Sequence, residues 1–226
     1  MSGREGTGGG GRRTLAALRH FLNMLVPSLD DIREHRPIVP PLVIGWVFSL
    51  VAAFSLRPLL LSAMASQGAE VAQGTLLVLG IVAVMAPLVH LLKAGLLIAL
   101  GWAVLVLTNS QRRIRPILSV LLYGEAILAA QGVLQALYLH LATGGSPTSP
   151  VDLQASLGLA AFVPATSPGL LAVAQSFSVG HFLWFGFLVI ALRRCDGPEP
   201  RPSFGLALFF WGVMVAFSAA RAWVTL

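Results

Sequence analysis

The chain has 226 residues, a mass of 23.9 kDa and a formal charge of +6, and 56% of it is hydrophobic against 11% charged. Soluble domains average about 25% charged residues, so a mean hydropathy of +0.82 leaves too few polar side chains to cover a water-facing surface. This excludes a soluble globular fold and extended disorder. The single cysteine excludes a disulfide framework and a cysteine-based zinc site.

A pI near 11.0 does not point to nucleic acid here. The basic residues alternate with long apolar runs, and that pattern sets orientation in a membrane protein. Lys93 is the single lysine among the basic residues; the others are arginine. This bias reads as GC-rich codon usage, which favours a bacterial source and hence the bacterial inner membrane.

In chain order, residues 1–13 form a Gly-rich tail expected to be disordered. The run Gly8 to Gly11 has no Lys-Ser/Thr after it, so it is not a phosphate loop. Leu15, Leu18, Leu22 and Leu25 recur at helical spacing, and Ser28 with Asp31 resembles a capping box. Residues 14–36 therefore read as two short helices on the cytoplasmic interface. Arg19 and His20 interrupt the apolar run too early for a signal peptide.

Five stretches are apolar enough to cross the roughly 30 Å hydrocarbon core as helices: about 38–56, 86–109, 116–141, 168–192 and 203–224. The second is cut from a longer run, Thr75 to Thr108, which as one helix would extend roughly 50 Å. Charge decides how often that run crosses. If it crosses once, Arg4, Arg12, Arg13, Arg19, Arg33, Arg36, Arg112, Arg113, Arg115, Arg193, Arg194 and Arg201 share one side, and only Arg57 and Arg221 face the other. If it crosses twice, the bias disappears. The positive-inside pattern selects one crossing. The expected fold is an all-α polytopic bundle of five transmembrane helices, with the N-terminus cytoplasmic and the C-terminus outside. Arg36, Arg112, Arg113, Arg115, Arg193 and Arg194 serve as topology anchors. The excess before residue 86 is expected to form a helical lead-in from Thr75, with Pro87 as a kink site. Between the third and fourth spans, Ser149-Pro150 is expected to start a short interfacial helix through Phe162.

The polar residues inside the spans are the candidates for chemistry. Glu125 lies roughly 13 Å along its helix from the cytoplasmic end. A charge at the bilayer centre costs about 2.5–3.5 kcal/mol, so its side chain should face the bundle interior. Gln131 follows on the same helix, and His181 is the expected neighbour by depth. Lys93 is expected nearer the outer face, a poorer match to Glu125. His90 and His140 are both expected near that face, but two imidazoles alone are too few for a metal site. No Ser-His-Asp, Cys-His or paired-carboxylate set converges, and no cofactor motif occurs. Gly95-x-x-x-Ala99, Gly132-x-x-x-Ala136 and Gly212-x-x-x-Ala216 permit close helix approach and are compatible with a homo-oligomer. Cys195 reads as an unmodified thiol.

Three stretches carry a family resemblance: HFLNMLVPSLDDIREHRPIVPPLVIGWVFSLV (His20–Val51), QRRIRPILSVLLYGEAIL (Gln111–Leu128), and SFSVGHFLWFGFLVIALRRC (Ser176–Cys195) followed by RPSFGLALFFWGVMVAF (Arg201–Phe217). With these, the region from Leu15 onward resembles the bacterial branch of the Yip family of five-span membrane proteins. The resemblance implies residues 14–226 as one membrane domain with the topology derived above. Eukaryotic members of that family bind prenylated Rab GTPases. The Asp-Leu-Tyr-type motif they carry is missing ahead of the first span here, so Rab binding does not transfer. The implied function is that of a non-enzymatic adaptor or membrane organiser, in contact with the lipid bilayer and with a membrane or cytoplasmic protein partner. The alternative expectation is a small proton-coupled transporter or permease with Glu125 and His181 lining its path.

Overall fold

The computed structural model describes residues 38–65, 68–107, 114–147, 157–163, 168–195 and 203–224. The tail 1–13, the interfacial helices expected over 14–36, the anchors Arg36, Arg112 and Arg113, and the start of the helix expected at Pro150 lie outside the described residues.

The described residues are helical apart from short turns. The first helix, α1 (Val39–Met64), has prolines in its opening turn, where a missing N–H leaves no intrahelical bond unmade. Gly68, with φ of 103°, turns the chain into α2 (Ala69–Leu107). The helix α3 (Ile114–Ala142) ends on Gly144 and Gly145, whose φ values of 60° and 78° give the left-handed geometry of a glycine cap. The Gly145 N–H donates to the His140 carbonyl across 2.9 Å, closing that end. A 3-10 turn (Leu159–Phe162) precedes α4 (Pro168–Gln175), α5 (Val179–Cys195) and α6 (Ser203–Val224).

Four of these helices are long and apolar enough to span a membrane: α1, α2, α3 and α6. The third is the axis of the bundle. Its most apolar window is 56% buried inside the protein, against 11% for α2. It packs against α1, α2 and α5, while α6 covers α5, α4 and part of α2. The core between them is built from Leu97, Leu121, Trp184, Leu188 and Phe210.

Three expected boundaries are corrected. The expected lead-in before residue 86 is continuous with the second span, so α2 is one helix of 39 residues that runs through Pro87. The first span is longer than expected, reaching Met64 with Pro58 inside it. The stretch 168–192, expected as a single helix, is two helices interrupted at residues 176–178. Of the helix expected through Phe162, the described part is the 3-10 turn.

The interruption is stabilised bond by bond, as a chain break away from water requires. The Trp211 indole N–H donates to the Ser176 carbonyl at 3.3 Å. The Leu159 N–H donates to the Phe177 carbonyl at 3.3 Å, and the Val179 N–H to the Leu157 carbonyl at 3.2 Å. Gly158 and Ser178 form an antiparallel bridge, and a Cβ on Gly158 would lie 2.7 Å from the Ser178 backbone. Ser178 is the N-cap of α5, with its hydroxyl accepting the His181 N–H at 3.4 Å. Phe177, Phe182 and Trp211 close over the break with ring centroids 5.0–6.4 Å apart.

Close helix approach occurs at one of the expected glycines, Gly132, and at two others. Gly124 receives the Trp184 indole, and a Cβ there would lie 2.5 Å from its nitrogen. Gly101 receives Phe210, at 2.7 Å by the same measure. Gly132 meets Ala52 of α1 at 3.5 Å, whereas Gly95 and Gly212 have nothing within 4 Å.

Candidate functional site

Two polar clusters sit on different faces of α3. Residues on a helix advance about 100° each, so Glu125 and Gln131, six apart, project about 120° from one another. Glu125 faces α1 and α2 with Ala129 and Gly132. Gln131 shares the α5 side with Gly124.

The first cluster centres on Glu125, which is 2% exposed. Its Oε2 accepts from Lys93 Nζ at 2.9 Å, and His90 Nδ1 lies 3.5 Å from the same oxygen. Its Oε1 is buried with no hydrogen-bond partner among the described residues. Lys93 and His90 are three residues apart on α2 and so share a face. The other imidazole nitrogen, Nε2, lies 3.3 Å from Ser49 Oγ, whose own proton goes to the Gly45 carbonyl at 2.8 Å. Ser49 therefore accepts, and His90 Nε2 carries a hydrogen. Nδ1 and Glu125 Oε2 then face each other as two acceptors unless a proton lies on one of them.

This corrects the expected pairing. Glu125 contacts Lys93 and His90, and no ion pair or hydrogen bond joins it to His181. The reason is which neighbour each face of α3 meets. Lys93 stands fourteen residues from the end of α2 at Leu107, roughly 21 Å, while Glu125 is eleven from Ile114, roughly 16 Å. The lysine stem spans the difference. His90, expected near the outer face, lies beside Glu125.

The second cluster holds the other two expected residues. Gln131 Nε2 donates to Ser178 Oγ at 2.6 Å. Ser178 Oγ lies 2.8 Å from His181 Nδ1. With one hydroxyl proton and Gln131 already donating to it, Ser178 donates to Nδ1, which leaves the hydrogen of a neutral His181 on Nε2. Gly180 packs directly against the Gln131 side chain, where any Cβ would collide. Farther along α3, Gln135 Oε1 accepts the Leu157 N–H at 3.1 Å. His140 Nε2 donates to the Ser55 carbonyl at 2.8 Å, one turn before Pro58 opens the α1 ladder.

Ser49 and Ser178 were not singled out from sequence. A signal existed for Ser49: Gly45, Ser49 and Ala52 form one small-residue face of α1. For Ser178, the cue was Ser-x-x-His inside an apolar run. Among the anchors, Arg115, Arg193 and Arg194 are exposed at helix ends. Among the described residues no group of three or more potential metal ligands converges.

No protein-family model, curated protein or solved structure matches this chain.

Proposed function

We propose that the chain is a five-span integral membrane protein with a Yip-type bundle, acting as a non-enzymatic adaptor or organiser through contacts made by its helix faces. In this reading α4 and α5 together make one interrupted crossing beside α1, α2, α3 and α6. The N-terminus is cytoplasmic, the C-terminus is outside, and the membrane is the bacterial inner membrane. The observation that carries it is α2. Leu77, Val78, Ile81, Val84 and Met85 are all exposed along one stretch of it. An apolar surface of this extent on one helix is what a membrane-embedded partner, a second copy or lipid would cover. Both polar clusters join helices, which suits a scaffold that must hold its shape.

The test is crosslinking in native membranes followed by purification in mild detergent and mass spectrometry. A stoichiometric protein partner crosslinked through α2 supports the proposal. A chain recovered alone, under conditions that preserve other membrane complexes, counts against it.

One observation favours a second reading, that of a small proton-coupled transporter. Glu125 keeps one carboxylate oxygen without a hydrogen-bond partner among the described residues, and its other oxygen faces both Lys93 Nζ and His90 Nδ1. A buried carboxylate in that state can exchange a proton with a moving substrate. In this reading Glu125 acts with His90 and Lys93, and His181 serves the α5 cap. Proton-coupled flux into vesicles that is lost in Glu125→Gln, with the protein still inserted, would establish it.

A further inference from the structure

Two adjoining cavities lie between α1 and α2. One, of about 250 Å³, runs between α1, α2 and α3 to Ser49 and His90. The other, of about 440 Å³, opens beside Phe54 and Leu77 and ends at Arg57 and Gln73. They meet at Ala53, Leu79 and Ala83, which line both. The cause is local. Ala52 and Ala53 of α1, Ala83 and Ala86 of α2, and Ala129 and Gly132 of α3 stand at one level, and their short side chains leave the helices unfilled between them.

The cleft is apolar along its walls and polar at its ends. Water does not occupy such a space, because it needs two to four polar partners. In a bilayer the available filler is hydrocarbon. Arg57 gives the open end a sign. It is exposed and forms no ion pair among the described residues, including with Glu70 in the first turn of α2. A guanidinium presents a planar fork that matches phosphate oxygens, and its stem runs along apolar surface. Arg57 and Ser49 are eight residues apart, roughly 12 Å along α1, so a chain entering at Arg57 reaches the His90 level within the cleft.

We infer that this cleft binds one anionic glycerophospholipid, with its phosphate on Arg57 and the Gln73 amide and one acyl chain lying between α1 and α2 toward His90. The inference depends on the chain residing in a bilayer, and it shares Leu77 and Val84 with the α2 face of the adaptor reading.

The test is native mass spectrometry of the purified full-length chain in detergent, with phosphatidylglycerol or phosphatidylcholine of identical acyl chains. The expected result is one retained lipid per chain and a preference for phosphatidylglycerol of about fivefold, the factor one arginine supplies at an anionic surface. Arg57→Gln should bring the preference close to one, while Arg115→Gln, at the other end of the bundle, should leave it unchanged. Ala83→Phe, which fills the junction of the cavities, should remove retention of both lipids. Glycerol phosphate, which has the headgroup charge and no acyl chain, should not compete. Equal retention of the two lipids, an undiminished preference in Arg57→Gln, or displacement by glycerol phosphate would overturn the inference. If Ala83→Phe does not fold, the Arg57 and glycerol phosphate arms still decide it. Loss of the preference alongside an unchanged protein crosslink on α2 separates this site from the adaptor function.

Discussion

Lys93 Nζ of α2 lies 2.9 Å from Glu125 Oε2 of α3, and the glutamate side chain is 3% exposed while the lysine is 32% exposed. The pair joins the longest helix to the bundle axis at a level where α1 also closes in, through Ser49 and His90. Removing one partner leaves a charge behind in apolar surroundings. Removing both does not.

Lys93→Met and Glu125→Gln should therefore each destabilise the protein, and the double variant should be more stable than the worse of the two. Deleting one partner of a buried pair costs about 3–5 kcal/mol. The partial exposure of Lys93 lowers the expected loss for Glu125→Gln below that range, since the ammonium can reach solvent or headgroups. Thermal unfolding of the four proteins in one detergent gives the coupling. Strictly additive losses would rule out a direct interaction.

Gly124→Ala should cost about 1–3 kcal/mol by forcing the Trp184 indole off α3. Gly212→Ala, with nothing within 4 Å, should be neutral within about 0.5 kcal/mol. Fluorescence of Trp184, read in a background with the other four tryptophans replaced by Phe, reports the first change. An unshifted spectrum in Gly124→Ala would mean that the indole does not rest on that glycine.

Ser178→Ala removes the α5 cap, and it also strands the Gln131 amide and His181 Nδ1. A lost N-cap typically costs about 1 kcal/mol, and the stranded groups add to that. Ser178→Thr keeps the hydroxyl and should recover most of the loss. Hydrogen exchange of the first turn of α5 should rise in Ser178→Ala. Equal protection in the two variants would show that the hydroxyl does not hold the break.

Reporter fusions test the proposed topology. Fusions after Gln67, Gln111, Gly145, Asp196 and Leu226 should read outside, inside, outside, inside and outside. An outside signal at Gln111 would defeat the single crossing of α2, and an inside signal at Leu226 would defeat the interrupted crossing of α4 and α5.

Much of the architecture was legible in the sequence. Apolar runs located α3 and α6 to within two residues, because a helix with little competing local structure ends where apolar residues give way to Arg or Gly. Where the expectation was off, long-range contacts decided. The run 168–192 is apolar apart from Gln175, Ser176, Ser178 and His181, and these polar residues do not by themselves fix a break at Ser176. The break exists because Trp211 and residues 157–159 supply the missing backbone partners. The span expected to begin at 86 was set by bilayer thickness, whereas α2 runs on to Ala69 alongside α1.

The site divides in the same way. That Glu125 must turn inward followed from the cost of a charge in hydrocarbon, which is a property of the residue and its depth. Its partner did not follow from depth. Depth along each helix is counted in residues, but the angle around the axis that selects Lys93 and His90 over His181 depends on which neighbour each face of α3 meets. Trp184 seated on Gly124 and Gln131 seated on Gly180 commit one face to α5. A separate face, carrying Glu125, is left to α1 and α2. Composition and hydropathy by themselves determined a helical membrane protein with a buried acid. Only the packing of large side chains against particular glycines, which depends on residues far apart in the chain, decided what that acid touches.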